Sequence, residues 1–256
     1  VTLLVGLCIG LVLGLTGAGG SIFAVPLLML LLGLPINEAT GISLGAVCVA
    51  AFVGVLLRLP GRDLAWLPAL LLALAGMSSA PVGRWMAAQL PEQLLLVGFV
   101  VMATTLALRM WRQADTEVVR ASLAQDDGHE IENRVPKPIP MAVAGWVCGL
   151  LSGLFGVGGG FVVVPVLTLF AGLRIHQAVA TSLFVIALVS ASGFAFHIHQ
   201  ASTVAPMMLF ETAVGSTAGI LVGTLVATRV AGARLQKIFA FSVISLMALT
   251  LTRSWI

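Results

Sequence analysis

GLTGAGGSIFAVP at 14–26 and GLFGVGGGFVVVP at 153–165 are one motif written twice, 139 positions apart. The match extends outward without a gap from Gly6 to Leu44. Gly6, Gly10, Gly14, Gly17, Gly19, Gly20, Pro26, Gly33 and Ser43 meet Gly145, Gly149, Gly153, Gly156, Gly158, Gly159, Pro165, Gly172 and Ser182. Low-complexity apolar sequence produces chance agreement, but a fixed offset held across nine positions, a proline among them, marks a repeat. A doubled apolar unit interrupted by glycine is the pattern of membrane proteins built from two related halves.

Composition names the solvent. The 256 residues are 59% hydrophobic and 9% charged, with a mean hydropathy of +1.12. A soluble domain carries about 25% charged residues, so this chain cannot cover a water-facing surface. Ten of the charged residues crowd into RQADTEVVRASLAQDDGHEIENRVPK at 112–137, which reads as an aqueous linker between the copies. The net charge of +3 and pI near 9.2 fit positive loops on a cytoplasmic face rather than a nucleic-acid partner. Cys8, Cys48 and Cys148 lie in apolar runs without CxxC spacing, so neither a disulfide framework nor a metal site is expected, and no cofactor is. The chain opens on Val1 rather than Met and shows no signal-peptide pattern; a few preceding residues are expected.

Five apolar runs fall in each copy: 1–16, 21–34, 38–58, 64–83 and 92–111, then 139–155, 160–173, 176–197, 204–228 and 235–252. The last three of each set have about the 20 residues that a spanning helix needs, whereas the opening two are short enough to form a re-entrant hairpin. With each opening pair returning to its own side, Arg58, Arg62, the linker, Arg174, Arg229, Arg234 and Lys237 share one face, leaving Arg84 and Arg253 opposite. The positive-inside rule then puts the linker in the cytoplasm and both termini outside. An odd number of crossings per copy makes the repeat inverted. The expected fold is therefore an all-α polytopic membrane bundle of two inverted repeats, 1–111 and 139–256, joined by a linker at 112–138 and in contact with membrane lipid.

The hinges carry the chemistry. Glycine costs about 1 kcal/mol relative to alanine inside a helix, so GAGG and GVGGG favour unwound backbone. Exposed peptide groups are tolerated at membrane depth only where they line a protein-walled, hydrated cavity. A helix beginning at Ser21 or Gly160 offers free N–H groups and a partial positive charge, an anion site that needs no basic side chain. Two such ends from an inverted pair are expected to converge near the midplane. Gly6, Gly10 and Gly14, like Gly145, Gly149 and Gly153, line one helix face for close packing.

These residues resemble the TauE/SafE sulfite exporter family of bacterial membrane transporters. The resemblance rests on the doubled hinge, on Pro26 and Pro165, and on Ser43-Leu44 and Ser182-Leu183, and covers nearly the whole chain outside the linker. The second copy is nearer the family pattern; the first has Ala18 between its glycines and Gly41-Ile42 in place of Ala180-Thr181. The resemblance implies export of sulfite or small organosulfonates by alternating access. The expected substrate site is Gly17, Gly19, Gly20 and Ser21 with Gly156, Gly158, Gly159 and Gly160, supported by Ser43, Thr181 and Ser182.

Ionisable groups in the runs are candidates for proton coupling: Glu211, the one acid of the second copy, with His176 and His197. Glu211 at the edge of its run and His197 beside His199 equally fit interfacial positions. Asn37 and Glu38, matched by His176 and Gln177, suit helix starts or a gate. Arg58, Arg62, Arg84 and Arg109 fall near run ends and read as snorkelling anchors. Gly41-Ile42-Ser43-Leu44-Gly45 matches GxSxG, which belongs on a strand-to-helix turn and here falls in an apolar helix. An intramembrane serine hydrolase using Ser43 is thus the alternative to a transporter, and a channel or carrier for another small anion is the third reading.

Overall fold

The computed structural model describes residues 1–17, 20–59, 64–105, 108, 138–173, 175–200, 205–227, 241–242 and 245. Gly19, most of the run at 235–252, the linker apart from Pro138, Arg62, Arg109 and Arg174 lie outside them. Among the described residues every regular element is a helix: α1 Thr2–Thr16, α2 Gly20–Leu32, α3 Ile36–Arg58, α4 Trp66–Gln89, α5 Glu92–Thr105, α6 Pro138–Phe155, α7 Gly160–Phe170, α8 Ile175–Gln200 and α9 Pro206–Ala227. Segments 36–58, 66–89, 177–199 and 206–226 are long and apolar enough to cross a membrane. The 15 residues of α1 and 11 of α7 are not, reaching about 22 and 16 Å of a hydrocarbon core near 30 Å. Leu74, Phe210 and Leu225 are exposed, as lipid-facing side chains must be.

Each opening pair is a helical hairpin closed by glycine. Gly17 takes the left-handed conformation (φ 73°) and returns its N–H to the Leu13 carbonyl at 2.8 Å; its counterpart Gly156 (φ 70°) does the same with Ser152 at 2.8 Å. This is the αL termination, in which a residue without Cβ satisfies a helix-end carbonyl.

The glycine ladders join one copy to the other. Gly6, Gly10 and Gly14 of α1 lie against the backbone of Thr212, Ser216 and Ile220 in α9, and Gly145, Gly149 and Gly153 of α6 lie against Leu72, Gly76 and Ala80 in α4. Both residue numbers rise together, so each pair is parallel. By the same reading α3 is parallel to α9 (Gly45 to Leu209, Gly54 to Ile220), α4 is parallel to α8 (Gly76 to Val189, Ser192 to Met77), and α3 is antiparallel to α8 (Gly41 to His197, Gly54 to Leu183). Thus α1, α3 and α9 run one way, and α4, α6 and α8 the other.

These directions separate the hinges. Ser43 of α3 touches the second hinge, whereas a methyl on Gly54 would lie 3.2 Å from the side chain of Leu183, the neighbour of the first-hinge residue Ser182. From Ser43 to Gly54 α3 rises about 16 Å. The hinges therefore sit towards opposite ends of the bundle instead of converging near the midplane.

Candidate functional site at the two hinges

The expected site residues form two groups. At the first hinge, Gly17 meets Val179, and the Ser182 hydroxyl donates to the Gly17 carbonyl at 3.3 Å and to its own helix at Val179 (2.9 Å). Gly20 and Ser21 form the buried first turn of α2, and Thr181 accepts a hydrogen bond from the Ala65 N–H (3.1 Å), tying the start of α4 to α8. At the second hinge, Gly156 meets Thr40 and its carbonyl accepts from Ser43 at 2.8 Å. Residues 17 and 156, 40 and 179, and 43 and 182 are repeat counterparts, so each hinge is gripped by the third helix of the opposite copy.

The second turn runs from Gly156 through Gly158 and Gly159. Gly158 (φ 70°) and Gly159 (φ 65°) are both left-handed and buried, and Gly159 caps α7 without any side-chain hydrogen bond. Ser190 points at this turn: its Oγ would lie 2.9 Å from a methyl on Gly158, and Ser152 lies as close as 3.4 Å to one on Gly159. Both serines are wholly buried, and neither hydroxyl has a partner among the described residues.

Two nitrogen-bearing side chains, Arg84 and His197, are buried where the sequence suggested surface residues. The helix of α4 continues to Gln89, past the hydropathy drop at Gly83, so Arg84 lies within it and is only 4% exposed. This overturns its reading as a snorkelling anchor. One guanidinium nitrogen donates to Asn37 Oδ1 at 3.3 Å, and Nε has no partner among the described residues. The Arg84 backbone N lies 2.9 Å from the position of a methyl on Gly153, just ahead of the hinge. His197 is 1% exposed and faces Gly41, and its Nδ1 has no partner among the described residues, whereas His199 is exposed. Glu211 sits half-buried in the second turn of α9, and His176 in the first turn of α8. Sequence reasoning missed Arg84, Ser152 and Ser190 as site residues. The only signal for Ser152 was its place beside the Gly153 hinge.

The family model for the sulfite exporter TauE/SafE matches residues 2–251. The chain belongs to this family. A probable membrane transporter protein of Xylella fastidiosa (strain Temecula1) is 31% identical over all of this chain and 95% of its own length. Others in Bacillus subtilis (25%; 86% of this chain, 87% of the relative) and Methanocaldococcus jannaschii (25%; 75% and 69%) are also similar. No solved structure matches the chain. As a TauE/SafE member with four spanning-length helices, it is an integral membrane transporter and not an enzyme. The Ser43 hydroxyl accordingly faces a backbone carbonyl.

Proposed function

We propose that the chain exports a small sulfur oxyanion, sulfite or an organosulfonate, across the bacterial inner membrane by alternating access between two inverted repeats. The observation that carries this reading is the pair of buried, left-handed glycine turns, each opening a helix N-terminus inside the bundle and each held by a serine of the opposite copy. Helix N-termini replace part of an anion's hydration shell through backbone N–H groups and the helix dipole. The family description supports sulfur oxyanions among the anions that such a site accepts. Inversion is supported by the opposite directions of the equivalent helices α1 and α6, α3 and α8, and α4 and α9. With the linker cytoplasmic, the first hinge lies towards the cytoplasm and the second towards the outside.

Proton coupling, in this reading, falls to His197, the buried titratable side chain beside the second hinge, in preference to Glu211 and His176 near helix starts. The test is flux in proteoliposomes. Sulfite or sulfoacetate should accumulate beyond equilibrium under an imposed proton gradient, and Gly158→Val and Gly159→Val should stop transport while the protein still inserts. Normal transport by both variants sinks the site; flux that never exceeds equilibrium makes the protein a channel.

A further inference from the structure

We infer that Arg84 is the charge partner of a bound oxyanion at the second hinge, in a site completed by Ser190, Ser152 and the N-terminus of α7. The inference deepens the transporter reading and rests on it. Ser190 Oγ and Ser152 Oγ, without a partner among the described residues, belong to side chains packed against Gly158 and Gly159 of this turn, and Arg84, whose Nε is likewise without one, sets its backbone against Gly153 three residues before it; His197, with Nδ1 in the same state, faces Gly41 on α3 beside Thr40, which packs on Gly156. These four side chains are at most 4% exposed. A buried polar group left unmatched is costly, and a buried guanidinium far more so. One oxyanion supplies acceptors for both hydroxyls and the guanidinium, as well as for the free N–H groups of α7.

Among the described residues Arg84 is not paired with a carboxylate. Its described side-chain partner is the neutral Asn37 amide, so its positive charge is oriented without being neutralised. That is the arrangement expected of a residue whose counter-ion comes and goes. Asn37 and Thr40 lie one turn apart on α3, and Thr40 packs on Gly156, so the amide that orients Arg84 stands on the same helix face that contacts the hinge.

The comparison between copies points the same way. Arg58 at the end of α3 donates to the Gly14 carbonyl at 3.3 Å beside the first hinge, and its repeat counterpart is His197. Arg84 abuts Gly153, and the residue packed equivalently on Gly14 is Thr224. Each hinge therefore has one arginine, but from different positions, α3 in one case and α4 in the other. Among the described residues a guanidinium thus stands near each hinge, at positions that are not repeat counterparts.

The experiment measures sulfite binding to detergent-purified protein by thermal shift, with sulfate, acetate and a neutral solute alongside, on wild type, Arg84→Gln, Arg84→Lys, Ser190→Ala and Ser78→Ala. Ser78 is exposed on the same helix. Sulfite should stabilise wild type and Ser78→Ala alike, Arg84→Gln and Ser190→Ala should weaken it at least tenfold, and Arg84→Lys should fall between. Melting temperature and monodispersity without anion identify a variant that fails to fold, in which case Ser190→Ala and Arg84→Lys carry the comparison. Wild-type affinity in the folded variants overturns the inference, as does wild-type protein that no anion stabilises. Arg84-dependent binding without any flux in proteoliposomes would leave this site standing and remove the transporter reading instead.

Discussion

The Ser43 hydroxyl donates to the carbonyl of Gly156 across the repeat boundary at 2.8 Å, and its counterpart Ser182 reaches back to Gly17 at 3.3 Å. Two sequence-distant halves thus hold each other's turns.

Ser43→Ala leaves the Gly156 carbonyl buried without this donor, a cost of about 1–3 kcal/mol. Ser182 also bonds within its own helix, so Ser182→Ala should cost less. Melting of the purified variants checks the order. The double variant should be additive within about 0.5 kcal/mol, because the two sites are more than about 10 Å apart. Neither wild type nor Ser43→Ala should react with a fluorophosphonate probe.

The ladder glycines and the loop glycine Gly33 should respond differently to alanine. A Cβ on Gly10 or Gly149 collides with the backbone of Ser216 or Gly76, which cannot yield without parting the helices. Gly10→Ala and Gly149→Ala should each destabilise by about 2 kcal/mol or more, by the logic of overpacking. Gly33 (φ 66°) has open space around it, so Gly33→Ala meets only the left-handed strain of about 1–2 kcal/mol. Fluorescence-detected size exclusion after a heating series separates the two cases.

His197→Gln should flatten the pH dependence of flux, since His197 is the buried group assigned to coupling. Glu211→Gln should leave the profile in place. The reverse result transfers coupling to α9.

Topology is open to chemical labelling once Cys8, Cys48 and Cys148 are replaced by alanine. A membrane-impermeant maleimide applied to intact cells should label Gln93→Cys, at the start of α5, and spare Ser122→Cys in the linker until the cells are opened. The opposite pattern would invert the orientation assigned from loop charge.

The all-helical bundle and the opening hairpins were legible because hydropathy and glycine spacing are local signals. Hydropathy misplaced Arg84 for an equally physical reason. It reports where apolar character falls, at Gly83 on α4, whereas backbone hydrogen bonding carried the helix on to Gln89. Burial of the arginine then depended on α3 supplying Asn37 and on α6 packing alongside at Gly153. No pattern in residues 66–89 contains that information.

The sequence by itself determined that the chain is a doubled membrane bundle with a glycine turn near the start of each half, since lipid permits few ways to satisfy a backbone and glycine marks where the helix yields. Only the tertiary structure decided which copy each ladder packs against, that the α3 positions meeting the two hinge regions, Ser43 and Gly54, are about 16 Å apart along that helix, and that buried Ser152 and Ser190 pack on the second hinge while Arg84 backs onto Gly153. Those outcomes depend on contacts between residues far apart in the chain, for which the small, similar faces of ten apolar runs offer several partners and shape complementarity selects one.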